Sequence, residues 1–572
     1  MATRRSAHNK HWALQPSAPP EVVARLGRSA IMSTLLYQRG FDTTEAVATF
    51  LEADYRDGLH DPFAMKGMTE ASQRIARAIA DDEPMAVYGD FDTDGVTAVT
   101  LLMQAISAMG GTIQPYIPHR VREGYGLNNE AIEQLAAEDI RLLITVDCGI
   151  SNVAEVAHAQ TLGLDVIVTD HHQPPATLPA ALAVVNPKQP GCSYPYKQLV
   201  GVGIAYKLVQ ALVRQGLRLH GLRGRDLLDM VALGTVTDMG PLDGENRVLV
   251  KKGLEAIHSS ERPGLKALIA VAGLSQSKVD AMSIGFMLGP RINAAGRLDD
   301  AVRAYNLLLA DDFATAQTLA QELNQANRQR QELTKQVQAA ARAQAHAEGK
   351  HQQRIVVLAG DDYPAGIVGL VAGKLVEEWA RPVLLIERGA EQSRGSARSV
   401  RGFNIFEALN SCKDLFVRFG GHSMAAGFTI ENVRLPELDA RLQELALTAL
   451  TDDMLVPTLD INAEVALSEM TWELLHEMRQ LEPFGQANPQ PVLMSRNVQV
   501  VSATARGSTG DHLRLVLKQN NGQSFEAMAF RLGHLAEPLR QHSCIDVAYT
   551  LEDHEWNDQR SLRLLVKDFR RA

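Results

Sequence analysis

Apolar runs of strand length repeatedly end on aspartate in the first half of this chain. "MAVYGDFDTDG" brings Asp90, Asp92 and Asp94 at alternate positions, "LLITVDCG" brings Asp147, and "VIVTDHH" brings Asp170 with His171 and His172 behind it. Helical text lies between them, such as "VTAVTLLMQAISAMGG", which closes on Gly110 and Gly111. Strands that alternate with helices build a parallel sheet covered on both faces. The crevice beyond the carboxyl ends of such strands is the ordinary ligand site. The pattern thus predicts an α/β fold with several acids delivered to one rim, joined by Asp238 at the end of the helical run "VALGTVTD".

Anions gathered in one place stay ionised only beside compensating positive charge. No lysine or arginine lies within these three motifs. Oxygen ligands with one or two imidazoles suit Mg²⁺ or Mn²⁺ better than zinc. Two ions bridged by a shared carboxylate would stabilise both the attacking and the leaving oxygen of a phosphoryl displacement. A single aspartate behind a strand is commonly just a helix cap. "DFDTDG" also resembles part of a calcium loop, but "VTAVTLL" follows Gly95 where that loop needs a glutamate.

The remaining text suggests several domains. With 572 residues, 45% of them hydrophobic, the chain is too long for one ordinary core. The stretch 321–350, rich in Ala, Gln, Glu and Arg, reads as a long solvated helix that spans domains. A second α/β unit follows, with "RIVVLAG" and "RPVLLIER" as strands. Past residue 455, short runs such as "HLRLVLKQ", "SFEAMAF" and "SLRLLVKDF" suggest a small β-barrel or sandwich. The four cysteines form no CxxC pair, which argues against a disulfide framework or a structural zinc site and favours a reduced, cytoplasmic setting. The amino terminus has no apolar signal core, and no run approaches the roughly 20 apolar residues of a membrane span. A net charge of −10 means that nucleic-acid binding would need a local basic groove.

In chain order, "DFDTDG", "VDCG", "TDHH" and "TDMG" resemble the four motifs of the DHH phosphoesterase family, named for the triplet that here is Asp170-His171-His172. "GFMLGPRINAAGRLDDA", "GSARSVRGFNI", "FGGHSMAAGF" and "LEPFGQANPQPV" are similar to segments of that family's branch specific for single-stranded DNA. The resemblance covers about residues 65–570. It implies an N-terminal segment (1–65), a DHH parallel-sheet domain (66–280) and a helical connector (281–350). A DHH-associated α/β domain (351–454) and an oligonucleotide-binding (OB) β-barrel (455–572) complete the expected order.

Carried over to this chain, the resemblance implies that Asp92, Asp94, Asp147, His171 and Asp238 hold two Mg²⁺ or Mn²⁺ ions, with Asp147 bridging. Asp90 belongs to the same cluster, as a ligand or as a group behind one. His172 would contact the scissile phosphate, and His422 the substrate or transition state from the second domain. Ser396 and Arg398 would receive a 5′-terminal phosphate. Arg291 follows Gly-Pro, which fits a turn aimed at a cleft; Asn293 and Arg297 stand near it, and Arg297 has Asp299 and Asp300 as rival partners. Paired Gly420 and Gly421 would turn backbone amides toward an anion, while Arg120 and Arg122 are candidate backbone clamps. Phe484, Phe525, Phe530 and Trp556 are candidate stacking rings.

The expected activity is hydrolysis of single-stranded DNA from its 5′ end to 5′-mononucleotides, in recombination and repair. A single-strand binding protein and a helicase are the protein partners the family suggests. Two rivals stand beside it: a DHH phosphodiesterase acting on short oligonucleotides or cyclic dinucleotides, and an inactive DHH scaffold. The first is usually a compact two-domain protein, and the second would lack metal acids, of which none is missing here.

Overall fold

The computed structural model describes residues 6–572 apart from Val121, Asn521, 540–542, 557 and 558. A short strand, β1 (His11–Leu14), opens the chain and pairs in parallel with Thr458–Ile461, near the far end of the sequence. The helices Pro20–Leu26, Ala30–Gln38 and Thr44–Glu52 that follow share one apolar core with residues 463–569.

The first lobe is a parallel sheet of β2 (Met85–Gly89), β3 (Ile113–Tyr116), β4 (Leu142–Val146), β5 (Asp165–Thr169) and β6 (Ala183–Val185), in the order β3-β2-β4-β5-β6. Every residue of β2 and β4 is buried, as a parallel sheet covered on both faces requires. Alternate side chains divide between the layers. Val87 and Ile144 face the helices Thr93–Ala108 and Gly201–Arg214, while Tyr88 and Leu143 face Asn129–Ala137 and Val153–Thr161. Each fully buried aliphatic side chain of this kind contributes about 1.5–3 kcal/mol.

The helix Phe313–Ala347 runs for 35 residues and begins earlier than its polar text suggests. Asp312 caps it by accepting from the Thr315 amide at 2.9 Å. Ala316, Ala320 and Leu323 then bury against the first lobe, and Val337, Ala341 and Ala345 against the second. Small residues stand wherever it must lie close to another element, so its buried stripe looks weak in the sequence.

The second lobe is a mixed sheet of β7 (Val356–Gly360), β8 (Val383–Glu387), β9 (Gln392–Arg398), β10 (Phe416–His422) and β11 (Ala425–Glu431), in the order β10-β11-β9-β8-β7. Only β7 and β8 run parallel. At the carboxyl end, β12 (Thr458–Ile461) and β13 (Ala463–Glu464) lead to a closed barrel. Its strands are β14 (Leu493–Arg506), β15 (His512–Lys518), β16 (Ser524–Ala529), β17 (Cys544–Trp556) and β18 (Gln559–Arg571). Pairing of β14 with both β15 and β17 closes the cylinder. Among the described residues no helix is long and apolar enough to cross a membrane.

Candidate metal centre

Asp90 follows β2 directly, Asp147 follows β4 and Asp170 follows β5, so three adjacent strands do bring their acids to one rim. Asp92 serves as a cap as well. It heads the helix Thr93–Ala108, and its Oδ1 accepts from the amides of Asp94 at 2.9 Å and Gly95 at 3.2 Å. Asp94 accepts from the amides of Gly201 and Val202 at 2.6 and 2.9 Å, at the start of the helix Gly201–Arg214. Glycine is required at 201, because a Cβ there would lie 2.5 Å from the Cβ of Asp147. Asp147 itself has φ of +60°, strained for a residue other than glycine and typical of functional positions.

The acids and imidazoles fall into three sets whose ligand atoms all lie within 4.8 Å of one another: Asp90-Asp92-Asp147, Asp94-His171-Asp238 and Asp147-His171-His172. Asp147 belongs to two of these sets. His171 Nε2 lies 3.0 Å from Asp147 Oδ1 and 3.7 Å from Asp238 Oδ2. Yet the buried Asp90 Oδ1, Asp147 Oδ1 and His171 Nε2 have no hydrogen-bond partner among the described residues. These atoms point at common space and not at each other's protons. Hard divalent cations suit such a donor set.

The electrostatics of the bare protein agree. Burial, then the neighbouring Asp92 charge, pushes Asp90 up to about 8 and Asp94 up to about 7. Burial followed by Asp94 raises Asp147 and Asp238 well above the carboxylate range. Without cations, burial and mutual repulsion favour protons on these acids over charge.

Asp170 has another task. It accepts from the Ile150 amide at 3.0 Å, the His172 amide at 3.0 Å and His172 Nδ1 at 2.7 Å. Burial alone would raise Asp170, but the His172 charge and hydrogen bond override it and hold it at about 2. Burial opposes protonation of His172 too, and Asp170 raises it to about 9. His172 is therefore a cation at neutral pH, while burial and His172 drive His171 down to about 3. A neutral imidazole is the form that ligates metal.

Two residues here escaped sequence reasoning. Lys188 donates to the His171 carbonyl at 2.6 Å, and the Tyr125 hydroxyl lies 3.0 Å from His172 Nδ1. Lys188 follows β6, the next strand end along the same rim. That position was the signal available for it.

Beside the acids stands a group of arginines. Arg297, pushed down to about 9 by burial and by Arg120, has Arg330 and Arg398 as further neighbours. It donates to the Gly366 carbonyl at 3.1 Å; Asp299 pairs with Arg303 instead, at 2.8 Å, and Asp300 caps the next helix by accepting from Val302. Arg398 Nη1 donates to Ser396 Oγ at 2.9 Å. Gly369 makes room for that pair, since a Cβ there would sit 2.8 Å from Arg398 Nη2. Arg120 lies over the Phe91 ring at 4.2 Å, and its buried Nε has no hydrogen-bond partner among the described residues. Arg330, on the long helix, is a third residue that the motifs did not flag.

Several expectations change. Arg291 does not sit on a turn: Gly289 and Pro290 open the helix Gly289–Leu298, where proline's fixed φ suits the first turn. Its guanidinium donates to Asn324 Oδ1 at 3.1 Å and to the Met287 carbonyl at 2.6 Å. Asn293 accepts from the Thr93 amide at 2.9 Å and so steadies the acid loop. Gly420 and Gly421 lie within β10 and not in a turn; a Cβ at Gly421 would come 2.5 Å from the Ala425 carbonyl, so close strand packing requires that glycine, whereas Gly420 borders open space.

His422, at the end of β10, is exposed and within electrostatic reach of His172 and Lys188. Arg401 turns away to Asp460, at 3.0 Å, and Arg122 is exposed. Phe525 is buried in the barrel core and Phe484 packs against it, whereas Phe530 is 52% exposed beside His512. The Trp556 side chain lies outside the described residues.

Comparison with known proteins agrees with this arrangement. The N-terminal domain model of the DHH family matches residues 84–235, the DHHA1 domain model 352–448 and the RecJ OB domain model 461–568. The single-stranded-DNA-specific exonuclease RecJ of Bacillus subtilis is 38% identical over 567 residues, which is 98% of this chain and 71% of that protein. The crystal structure of RecJ from Thermus thermophilus in complex with Mn²⁺ superposes with a TM-score of 0.83 at 31% identity, covering 98% of this chain and 80% of the other. The corresponding Mg²⁺ complex gives 0.78 at 30% identity, covering 98% and 78%.

Proposed function

This chain belongs to the RecJ family of exonucleases, and we propose that it hydrolyses single-stranded DNA from the 5′ end, releasing 5′-mononucleotides during recombination and repair. One observation carries this proposal: six metal-type donors on strand and helix ends gather beside a cluster of half-buried arginines, Arg120, Arg297 and Arg398. Mg²⁺ or Mn²⁺ ions held by Asp90, Asp92, Asp94, Asp147, His171 and Asp238 would supply positive charge for the attacking and leaving oxygens of the phosphodiester.

The chain's own groups do the rest. His172, kept protonated by Asp170, donates to a non-bridging oxygen of the scissile phosphate. His422 reaches the same phosphate from the second lobe. Ser396, Arg398 and Arg297 receive the terminal 5′-phosphate through charge-assisted hydrogen bonds. Arg120 and Arg291 clamp the next phosphates, and the barrel holds the trailing strand. The enzyme works in the cytoplasm, where a single-strand binding protein and a helicase would present its substrate.

Purified protein with Mn²⁺ is to be incubated with end-labelled single-stranded DNA, duplex DNA and dinucleotides. Mononucleotide release from the 5′ end of single strands is expected. Cleavage of dinucleotides alone would overturn the DNA assignment.

A further inference from the structure

The segment "LEPFGQANPQPV" precedes the barrel, and its Asn488 side chain and several of its backbone carbonyls are bonded inside the protein. Arg247, on the helix Gly244–Ser259, is 1% exposed. Its guanidinium donates to the carbonyls of Phe50 at 2.8 Å, Leu481 at 2.9 Å, Gln480 at 3.3 Å and Glu482 at 2.8 Å, and it lies over the Phe50 ring at 3.8 Å. These acceptors are all neutral. From the other side Arg39 donates to Asn488 Oδ1 at 2.8 Å and to the Pro489 carbonyl at 2.7 Å. Asn488 in turn donates to the carbonyls of Leu481 and Pro483, both at 2.8 Å. The loop is thereby fixed on two faces.

The same loop touches the segment that carries Asp238. Leu242 donates its amide to the Gln486 carbonyl at 2.8 Å, and a Cβ on Gly485 would lie 2.7 Å from Leu242 Cδ1. Asp238 needs such support. It caps the carboxyl end of the helix Leu228–Thr237, where the helix dipole disfavours a carboxylate. Met239 behind it has φ of +57°. The Asp238 side chain is 26% exposed, against 3% for Asp147.

We propose that Arg247 is a positioning residue for the metal centre: by gathering the carbonyls of 480–482 it docks the barrel's leading loop against Leu242 and holds Asp238 in place. The inference rests on the metal-dependent function proposed above. Groups that orient metal ligands change affinity by about 10–100-fold when removed.

The test is direct Mn²⁺ titration of the full-length protein without DNA, by electron paramagnetic resonance, with thermal melting in parallel. Arg247→Lys keeps the charge and loses the planar fork, and Gly485→Ala presses on Leu242 without touching any charge. Folded Arg247→Lys and Gly485→Ala proteins are both expected to bind Mn²⁺ about tenfold more weakly than wild type. A purely structural role would lower the melting temperature and leave Mn²⁺ affinity intact. Unchanged Mn²⁺ affinity in either folded variant overturns the inference, and if Arg247→Lys does not fold, Gly485→Ala decides alone. Failure of the wild type to bind Mn²⁺ would instead overturn the metal-dependent function itself.

Discussion

The site has an acid wall and an arginine wall, and the two carry opposite electrostatic problems. On the first-lobe wall, carboxylates are buried so closely that Asp90 and Asp94 are pushed up to about 8 and 7 in the bare protein. On the arginine wall, burial and Arg120 push Arg297 down to about 9. The two groups adjoin, since Arg120 acts on Asp90 and Asp92 acts on Arg297, yet among the described residues no ion pair joins these arginines to the acids. Had they existed only to stabilise the fold, acids and arginines would pair with each other, as Arg303 and Asp299 do nearby. Kept apart, they define two ligands: cations for the acids and phosphates for the arginines.

Removing a group from one wall should therefore spare the other wall's work. The largest effect is expected from Asp147→Ala, which takes a donor from two of the three sets. Single-turnover hydrolysis should fall on the order of 10³-fold or more, while single-stranded DNA binding, followed by fluorescence anisotropy, stays near wild type. Near-normal turnover would break the contrast between the walls.

Arg398→Ala tests the arginine wall. Loss of one charge-assisted contact costs about 1.5–3 kcal/mol, so discrimination between 5′-phosphorylated and 5′-hydroxyl strands should drop roughly 10–100-fold. The effect should appear in KM, with the rate at saturating DNA little changed. A fall confined to kcat would place Arg398 at the reacting phosphate.

Asp170→Asn probes the boundary between the walls. His172 is held at about 9, above its ordinary value, so it is charged below that value and loses its proton as pH rises through it. Hydrolysis should accordingly decline above pH of about 9 in wild type. With the carboxylate gone, that decline should move toward the ordinary histidine range, near 6.5. At pH of about 8 the variant should be roughly 10–100-fold slower. An alkaline limb that does not move would remove His172 from the proton inventory.

The acid wall was legible in the sequence and the arginine wall only in part, for a physical reason. Strand-end acids announce themselves because the period of the strand and its terminal position are both local. The single-strand branch motifs pointed to Arg297, Ser396 and Arg398, but Arg330 sits in low-complexity helical text and looks like any solvated charge. Gly421 is ambiguous in the same way, since a tight turn and a close strand contact select the same residue. Lys188 and Tyr125 depend on which loops the topology brings beside His171 and His172. The parallel pairing of β1 with β12 joins residues from opposite ends of the chain, and no local pattern records it.

The smallest expected effect separates the two partners of His172. Tyr125 stands 3.0 Å from His172 Nδ1 and 3.4 Å from the Asp147 carbonyl, whereas Asp170 holds the same nitrogen at 2.7 Å. A protonated imidazole has one N–H at Nδ1, and the shorter bond to a carboxylate takes most of it. The tyrosine oxygen is then a secondary acceptor, and its own proton is left for the Asp147 carbonyl. A shared neutral hydrogen bond is worth about 0.5–1.5 kcal/mol. Tyr125→Phe should therefore slow hydrolysis by roughly 2–10-fold and move the alkaline limb down by less than Asp170→Asn does. If the two variants shifted the limb equally, the tyrosine would hold the charge on His172 as strongly as the carboxylate does, and the ranking of the two partners would fail.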